Sequence, residues 1–443
     1  LYLYISLGLL YLLVCPILSE PDAKNHYCRA YEVSEGAFLS RTNAQGDAEG
    51  AFALPQGWVN ANGATQVSLY ESWFQRDYQI EDEGKELYQF NNMALYSPVS
   101  YLPQATAFAV ARLFTHNFLA TVMFARLLTF VMAGALFYLA IHLSPIGKHY
   151  LLWVALLPMG MELAVSISPD MITTALVCLL VSMVCRYRYG TAKVSKAELI
   201  LLYAVAILLG QYKIVYVGCC LLLFLIPANA FGGKKAYFIH AFVLGGLVLI
   251  TSLGWLHISS SFLSHQYSLS NAQKDFIRYN PKAFVLVLVS TFLVYCTELI
   301  QTMIGSKMGA LELETSPFLV LIIMGCFISW LTRDRQLRKE RKADCLGAVS
   351  FVLVSILTIV LIFSSIYIQW NAPGEKLVGG LQGRYFIPIL FPLLLVLGRR
   401  TIREPSDLPA LLKDEQRSVE RSIPLLISFH LCFLMQLFLY FVY

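Results

Sequence analysis

Several short stretches of the sequence combine acids, cations and turn residues in patterns that could bind a phosphate and move a proton. Glu20 and Asp22 flank Pro21, and His26 follows four residues after the second acid. The proline keeps this stretch extended, so both carboxylates can enter one pocket. Carboxylates placed in this way suit general-base catalysis or a divalent cation such as Mg²⁺ or Mn²⁺. A solvated acidic flank is the alternative that this pattern leaves open.

A further acid, Asp170, lies in the corner Ser168-Pro169-Asp170 between two apolar stretches. A charge at such a place is costly unless it has a partner or water, so it indicates a functional site. An N-cap for the helix that follows is the second explanation, and both can hold. Asp22 and Asp170 could also share a metal ion whose remaining ligands are water.

Two cations follow breaks in the apolar sequence. Lys213 comes directly after residues 210–212, and Arg384 opens an apolar stretch after the glycine-rich loop 369–383. A lysine here could hold a phosphate as a compact point charge, or it could only snorkel to the headgroup level. Arg384, next to Tyr385 and the free backbone donors of a helix start, suits a phosphate or pyrophosphate. An arginine at the headgroup boundary is the alternative.

The elements that must position these residues are membrane helices. Of the 443 residues, 57% are hydrophobic and 14% charged, with a mean hydropathy of +0.62. A soluble domain carries about a quarter charged residues, so this composition excludes a water-soluble enzyme. The net charge of +5 is too small and scattered to indicate nucleic-acid binding. With about 20 apolar residues per crossing, we predict spans at 1–18, 119–143, 150–165, 171–185, 199–209, 214–227, 236–258, 283–304, 317–331, 346–368, 385–397 and 423–443.

The distribution of charge predicts the orientation of these spans. Basic clusters near residues 186–196, 234–235, 333–342 and 399–403 indicate cytoplasmic loops. The segment 19–95 holds twelve acidic and five basic residues and is predicted to lie outside. By parity, the corner at Asp170, the break before Lys213 and the loop before Arg384 then share that external face. We divide the chain into five regions. A first transmembrane helix (1–18), which we expect to be retained rather than cleaved as a signal, precedes an external loop with the acidic motif and interfacial helices (19–117). A transmembrane core (118–258), an external or re-entrant region (259–316) and a C-terminal helical region (317–443) follow.

The number of predicted crossings disagrees with the predicted orientation once, between residue 258, placed outside, and residue 333, placed inside. Two crossings are counted there, although the charge distribution requires an odd number. Either the segment 283–304 dips in and returns, or a neighbouring span is an interfacial helix. The polar residues Glu298, Gln301 and Lys307 favour a segment that does not simply cross the membrane.

Taken in order, these motifs resemble the GT-C superfamily of integral-membrane glycosyltransferases. The likeness rests on the acidic motif after the first helix, the long first external loop, the proline-containing interfacial helix and the Arg126-Leu127 pair. More narrowly, the chain is similar, from the first helix to about Pro392, to an uncharacterised family of bacterial predicted membrane proteins grouped with that superfamily. The segments that carry this likeness are Glu20-Pro21-Asp22 with His26, Arg29-Ala30-Tyr31, Ser168-Pro169-Asp170 and Gln382-Gly383-Arg384-Tyr385-Phe386.

The resemblance implies an all-α bundle of about 11–13 transmembrane helices that transfers a sugar from a polyprenyl-phosphate donor. The acceptor would be a surface glycan or a lipid-linked molecule on the extracytoplasmic side of the bacterial cytoplasmic membrane. Asp22 would be the catalytic base, with Glu20 as its substitute. The donor phosphate would be held by Arg384, Lys213 and Tyr385. The acceptor would be recognised mainly by the segment 34–95, with contacts from His26, Arg29, Tyr31, Asp170 and Gln382.

Two other functions remain compatible with the residues. A transporter or flippase for a lipid-linked saccharide predicts paired repeats and charges near the middle of the bilayer, whereas these charges gather at one surface. A polymerase or ligase of lipid-linked glycans shares the chemistry and differs in the size of its substrates. The enzyme hypotheses share one geometric requirement, which is that Asp22 and Arg384 meet in a common cleft.

Overall fold

The described part of the chain is built almost wholly from helices. A computed structural model describes residues 1–52, 54, 85–190, 192–263, 267–337, 344–398 and 408–442. In chain order its α-helices are α1 (Tyr2–Val14), α2 (Ala23–Ser34), α3 (Asn91–Ala94), α4 (Leu102–Ala111), α5 (Phe118–Leu143), α6 (Lys148–Ala155), α7 (Pro158–Ala164), α8 (Asp170–Tyr189), α9 (Lys196–Tyr212), α10 (Lys234–Ser259), α11 (Tyr267–Tyr279), α12 (Pro281–Ile304), α13 (Pro317–Leu337), α14 (Cys345–Trp370), α15 (Ile387–Leu397) and α16 (Leu408–Val442). The 3₁₀ helices are Pro98–Tyr101, Ile214–Leu225, Ala228–Phe231, Ser260–Leu263 and Gly383–Phe386. The short strands are β1 (Glu49–Phe52), β2 (Glu86–Gln89), β3 (Lys307–Met308) and β4 (Leu313–Glu314).

Six helices in the described ranges are long and apolar enough to cross a membrane. They are α5, α8, α10, α12, α14 and the apolar part of α16. Shorter apolar helices accompany them at Tyr2–Val14, Ile214–Leu225, Pro317–Thr332 and Gly383–Leu397. The prediction of an all-α polytopic membrane protein is therefore confirmed.

The prediction of one span at 150–165 is wrong, because this segment forms two short helices, α6 and α7. Leu157, between them, has an extended backbone with φ −63° and ψ 135°, and Pro158 opens α7. Proline disfavours the helical conformation in the residue before it, so the chain bends at this point. With residues 214–225 in a 3₁₀ helix, fewer continuous α-helical spans form than the sequence predicted.

Helix α8 lies in the middle of the bundle. Nearly all of its residues are buried, because α5, α9, α15 and the 3₁₀ helix Ile214–Leu225 pack around it. Helices α10 and α12 instead expose most of their apolar side chains. A helix that is apolar on every side belongs either in a protein core or in lipid, and these helices show the two cases.

An ion pair joins the end of α8 to the start of α14. Arg188 donates to both carboxylate oxygens of Asp344, at 2.9 and 3.0 Å. This two-bond geometry is the strongest form of the arginine–carboxylate pair. It lies among the basic clusters, at the end of α8 opposite to Asp170.

Between α1 and α5 the described chain forms short helices and the antiparallel pair β1–β2, in which Glu49 lies opposite Gln89. Helix α2 packs on α4 through buried aromatic rings, with the ring centres of Tyr27 and Phe108 5.6 Å apart. Residues 53 and 55–84 lie outside the described residues. The predicted role of 34–95 in recognising an acceptor therefore falls largely on chain that the structure does not describe.

The loop 371–383 follows α12 along its length. The Phe284 ring stacks on Tyr367 near the end of α14, the Val378 N–H donates to Thr291, and the Gly383 N–H donates to Thr302. The segment 283–304, for which the sequence suggested an entry and return, lies in one continuous helix, α12, that is long and apolar enough to cross a membrane.

Candidate functional site

Asp22 and Arg384 meet although they lie near opposite ends of the chain. Arg384 belongs to the 3₁₀ helix Gly383–Phe386, and its Nη2 lies 2.7 Å from Oδ2 of Asp22. Its Nη1 donates to the Pro21 carbonyl oxygen at 3.5 Å. The Arg384 side chain is only 2% exposed, whereas the Asp22 side chain is 35% exposed. The cation is therefore fixed inside the protein, whereas the acid is partly exposed.

The backbone at Asp22 is strained. Asp22 precedes α2 with φ +59° and ψ +20°, a left-handed conformation. This conformation costs most residues about 1–2 kcal/mol, and Asp and Asn tolerate it better than others apart from glycine. The Asp22 carbonyl oxygen accepts from the His26 N–H at 3.0 Å, which holds the turn. Strain of this kind concentrates at functional sites, where the surrounding structure maintains it.

Asp170 places a second acid between two cations. One carboxylate oxygen lies 2.5 Å from Nζ of Lys213, and the other lies 3.7 Å from Nη1 of Arg384. Asp170 is the first residue of α8, and its N–H donates to the hydroxyl of Ser168. The serine therefore serves the backbone at this corner, and the Asp170 carboxylate is engaged by the cations rather than by an N-cap.

Tyrosine rings surround the two cations. Lys213 Nζ lies 5.3 Å from the ring centre of Tyr96 and 5.5 Å from that of Tyr385. The Arg384 guanidinium lies 5.2 Å from the Tyr385 ring centre. Tyr216 donates from its hydroxyl to the Tyr385 carbonyl oxygen at 2.7 Å, which fixes that segment. Aromatic faces stabilise cations without neutralising them, and the negative charge next to Lys213 and Arg384 comes from Asp170 and Asp22.

His26 completes the inner wall of the site. Its Nδ1 lies 2.7 Å from the Tyr101 hydroxyl. Burial lowers the pKa of His26 to about 4, and Arg384 and Lys213 act in the same direction against Asp170 and Asp22. The imidazole is therefore neutral at pH 7, which leaves it free to act as a hydrogen-bonding group.

Comparison with known proteins places this site within a recognised family. A model of DUF2142, described as a predicted membrane protein, matches residues 5–393. The chain belongs to the DUF2142 family. The match contains every site residue from Asp22 to Tyr385. No match was found among curated proteins or among solved structures.

Glu20, the other acid of the motif in this DUF2142 protein, is only 2% exposed, and its Oε1 accepts from the Ile167 N–H at 3.0 Å. Burial raises the pKa of its carboxyl group, against the nearby charge of Arg126. Arg126 itself donates to the carbonyl oxygens of Val165 and Cys15. Glu20 and Arg126 therefore tie the segment after α1 to the segment before α8, which carries Asp170.

Of three other predicted contact residues in the DUF2142 chain, two have partners of their own. Arg29 is fully buried and donates to Glu32 at 2.9 Å and to the Phe38 carbonyl oxygen at 3.0 Å. Tyr31 packs in the aromatic cluster of α2, with the Arg112 guanidinium 4.9 Å from its ring centre. The structure thus gives Arg29 and Tyr31 roles in holding the loop around α2 together.

Gln382, the third of these residues, lines a cavity of about 270 Å³ between α12 and the loop 378–382. Its Oε1 is buried and accepts no hydrogen bond from the residues that the structure describes. The Glu298–Lys307 ion pair, 3.1 Å long, lines the same cavity. The cavity adjoins the segment that carries Arg384 and is distinct from the Asp22–Asp170 cluster.

Sequence reasoning missed Glu162, which lies in α7. It is 1% exposed, its Oε1 accepts from the Gly309 N–H at 2.7 Å, and its Oε2 has no hydrogen-bond partner among the described residues. An acid inside a predicted apolar span was the available signal. Tyr96, Tyr101 and Tyr216 were also missed, because nothing in the sequence separates them from the other tyrosines of this chain.

The sequence analysis considered a metal ion shared by Asp22 and Asp170. Within the described ranges, no group of three or more His, Cys, Asp or Glu side chains is placed to hold a metal ion. The two acids contact Arg384 and Lys213 instead. The positive charge next to these carboxylates is therefore supplied by the protein's own side chains.

Proposed function

We propose that this DUF2142 protein is an inverting, integral-membrane glycosyltransferase. It uses a polyprenyl-phosphate-linked sugar as donor and glycosylates a surface glycan or lipid-linked acceptor, on the extracytoplasmic side of the bacterial cytoplasmic membrane. The observation that carries the proposal is the 2.7 Å contact between Asp22 and Arg384. It brings an accessible acid and a buried cation together, with Lys213 held beside them by Asp170.

The cations suit the departure of a phosphate. In the transfer, the acceptor oxygen bonds to the anomeric carbon while the bond from that carbon to the phosphate oxygen breaks. The phosphate leaves with the bonding electrons, so its negative charge increases in the transition state. Arg384 and Lys213 are fixed before the reaction by Asp22, Asp170 and the Tyr385 ring, and preorganised charges of this kind stabilise developing charge most effectively.

Asp22 suits the role of base. Its carboxylate is the more exposed partner of its ion pair, so an acceptor hydroxyl can reach it. It accepts the proton that the hydroxyl loses as the new carbon–oxygen bond forms, which is worth about 10²–10⁴ in rate. Attack by the acceptor hydroxyl on the face of the sugar opposite to the leaving phosphate inverts the anomeric carbon. Glu20 is less suited, because its carboxylate is buried and accepts a hydrogen bond from the Ile167 N–H.

His26 suits acceptor binding. It is neutral at pH 7 and held by Tyr101, so it presents a fixed hydrogen-bonding edge next to the acids. A neutral donor or acceptor binds a sugar hydroxyl without competing for the phosphate. Acceptor selection beyond this contact is assigned to the segment 34–95.

The test is a transfer assay with purified full-length protein in lipid vesicles. The donor is a radiolabelled polyprenyl-phosphate sugar, and the acceptor is a cell-envelope glycan extract. We expect transfer by the wild type, loss of transfer with Asp22→Asn, and full activity with Glu314→Gln, which changes an exposed acid of β4. Transfer at the wild-type rate by Asp22→Asn would end the proposal. Movement of the labelled lipid across the vesicle without any new bond would favour the flippase alternative.

A further inference from the structure

An apolar groove of about 400 Å³ runs along the side of the bundle next to Lys213. Its walls come from α9, α10, α14 and the 3₁₀ helix Ile214–Leu225, which starts at the residue after Lys213. The hydroxyl and imidazole groups in the wall are hydrogen-bonded: Tyr203 lies 3.0 Å from His240, and Tyr237 donates to the Phe224 carbonyl oxygen. The groove therefore presents an almost wholly apolar surface, and its first lining residue on the 3₁₀ helix, Val217, comes four residues after Lys213.

The 3₁₀ conformation of this wall explains why the groove is continuous. Runs of 3₁₀ helix longer than three or four residues are uncommon, and this one has twelve residues. With three residues per turn, side chains at i, i+3 and i+6 lie directly above one another. The rows Val217, Cys220, Leu223 and Gly218, Leu221, Phe224 accordingly both line the groove. At a rise of about 2.0 Å per residue they form a track about 14 Å long, starting about 8 Å from Lys213.

Helix α10 forms the opposite wall and runs antiparallel to this track. Near its end, Ser252 lies where a β-carbon at Gly210 would meet it, at the Lys213 end of the groove. At the other end the Tyr237 hydroxyl donates to the Phe224 carbonyl oxygen at 3.2 Å. Gly245 lines the groove midway between these two contacts. Leu221, Phe224 and Leu249 are exposed at the groove's edge, so it opens to the side of the bundle that faces lipid.

We propose that this groove binds the isoprenoid chain of the lipid whose phosphate is held by Lys213 and Arg384. The inference rests on the proposed function for the identity of the lipid. It adds where the isoprenoid chain lies and which residues distinguish a long chain from a short one. A phosphate at Lys213 leaves the attached chain at the start of the track, and the track leads away from the polar site into apolar surroundings. A long chain gains contact along the whole track, whereas a short chain stops before Gly245.

Two neighbouring glycines provide matched variants. A β-carbon added at Gly245 would meet no heavy atom within 4 Å, and the same is true at Gly246. Gly245 lines the groove, whereas Gly246 is not part of its wall. The substitution Gly245→Phe therefore fills the groove, and Gly246→Phe adds the same ring to the same helix without filling it. The smaller change Gly245→Leu extends the series if the phenylalanine variant folds poorly.

The experiment measures lipid binding rather than activity. Purified full-length protein in detergent is titrated with a long-chain polyprenyl phosphate, with geranyl phosphate and with phosphatidic acid, and bound lipid is counted by native mass spectrometry. We expect Gly245→Phe to weaken binding of the long-chain polyprenyl phosphate by at least about tenfold, which corresponds to about 1.4 kcal/mol. Gly245→Leu should weaken it less. Geranyl phosphate binding should stay unchanged in every glycine variant, and Gly246→Phe should match the wild type.

Equal loss in Gly245→Phe and Gly246→Phe, or no loss in either glycine-245 variant, would overturn the groove proposal. Phosphatidic acid competing as well as the polyprenyl phosphate would assign the groove to bulk membrane lipid instead. The substitution Lys213→Ala separates the two proposals, because it should weaken both polyprenyl and geranyl phosphate. If Lys213→Ala changes neither, the phosphate site of the proposed function fails, while the comparison of the two glycine variants still decides the groove.

Discussion

The Asp22 carboxylate lies 2.7 Å from the Arg384 guanidinium across 362 positions of sequence. The contact joins the turn before α2 to the 3₁₀ helix before α15, so two distant parts of the chain form one cluster of charged side chains. Asp170 and Lys213 extend that cluster with a second ion pair. Because the four charged groups contact one another, the effects of changing them should be coupled rather than additive.

The substitution Asp22→Asn should abolish transfer while the protein still folds. Asparagine tolerates the left-handed backbone at this position and keeps an oxygen that can accept from Arg384. It cannot take a proton from a hydroxyl, so we expect a loss of about 10²–10⁴ in kcat. Initial rates with the labelled donor and a thermal melt in detergent measure the two properties separately. A large fall in melting temperature would mean that the loss of activity reports structure rather than chemistry.

The substitution Arg384→Lys should weaken donor binding although it keeps the charge. Arg384 contacts Asp22, the Pro21 carbonyl oxygen and Asp170 at once, and a single ammonium group cannot reproduce that fork. We expect KM for the donor to rise by at least about tenfold, or about 1.4 kcal/mol. Arg112→Lys, which changes an arginine packed on Tyr31, is the control and should leave this KM unchanged.

Removing Lys213 should destabilise the protein, and removing its partner as well should restore part of the loss. Breaking a buried ion pair on one side costs about 3–5 kcal/mol, because the remaining charge stays buried. We therefore expect Lys213→Met to lower the melting temperature clearly, and Lys213→Met with Asp170→Asn to lower it less. Lys307→Met breaks an exposed pair with Glu298 and should cost at most about 1 kcal/mol. Additive losses in the double variant would contradict the coupling.

The substitution Gly383→Ala should disturb the position of Arg384. A β-carbon at Gly383 would meet the backbone of α12 at Met303 and Leu299, which cannot move aside as a flexible side chain does. The same change at Gly379 places its β-carbon 3.4 Å from the Asn371 side chain, an ordinary contact. We expect Gly383→Ala to reduce both the melting temperature and donor binding, and Gly379→Ala to leave both near the wild-type values. Equal results for the two alanines would refute this packing argument.

Acidification should destabilise the protein through His26. Burial holds the pKa of His26 at about 4 in the folded protein, against about 6.5 in the unfolded chain. The unfolded chain therefore binds more protons between these values, so stability rises with pH across this window and is lost as the pH falls from 6.5 towards 4. Melting temperatures of the wild type and of His26→Gln between pH 7.5 and pH 5 measure this effect. The variant should show a weaker dependence on pH, and an unchanged slope would assign the effect to other groups.

The charged core of the site could be predicted from the sequence, because Asp22 lies in an acidic motif directly after the first helix, and Asp170, Lys213 and Arg384 each interrupt or border apolar stretches. In a membrane protein such residues are expensive, and their common side followed from the distribution of lysine and arginine. The order of the breaks along the chain then placed them together without any knowledge of the packing.

The surroundings of the site could not be predicted in the same way. Whether Tyr216 faces a lysine depends on helix rotation, which an almost uniformly apolar sequence does not encode. Tyr96 lies in the bend between α3 and the 3₁₀ helix Pro98–Tyr101, and the direction of such a bend depends on packing. Arg29 was assigned to an acceptor, although Glu32 lies three residues further along α2 and is the partner that it has in the structure. That spacing is a normal helix ion pair and could have indicated a local role.

The left-handed turn at residue 22 also affects protein engineering. Glycine adopts that conformation without strain, so Asp22→Gly would relieve the backbone and leave the rest of the turn in place. The same substitution would leave the buried Arg384 guanidinium without its nearest carboxylate, which costs about 3–5 kcal/mol and outweighs the relief of about 1–2 kcal/mol. A library selected for heat resistance alone would therefore retain the acid despite the unfavourable backbone conformation.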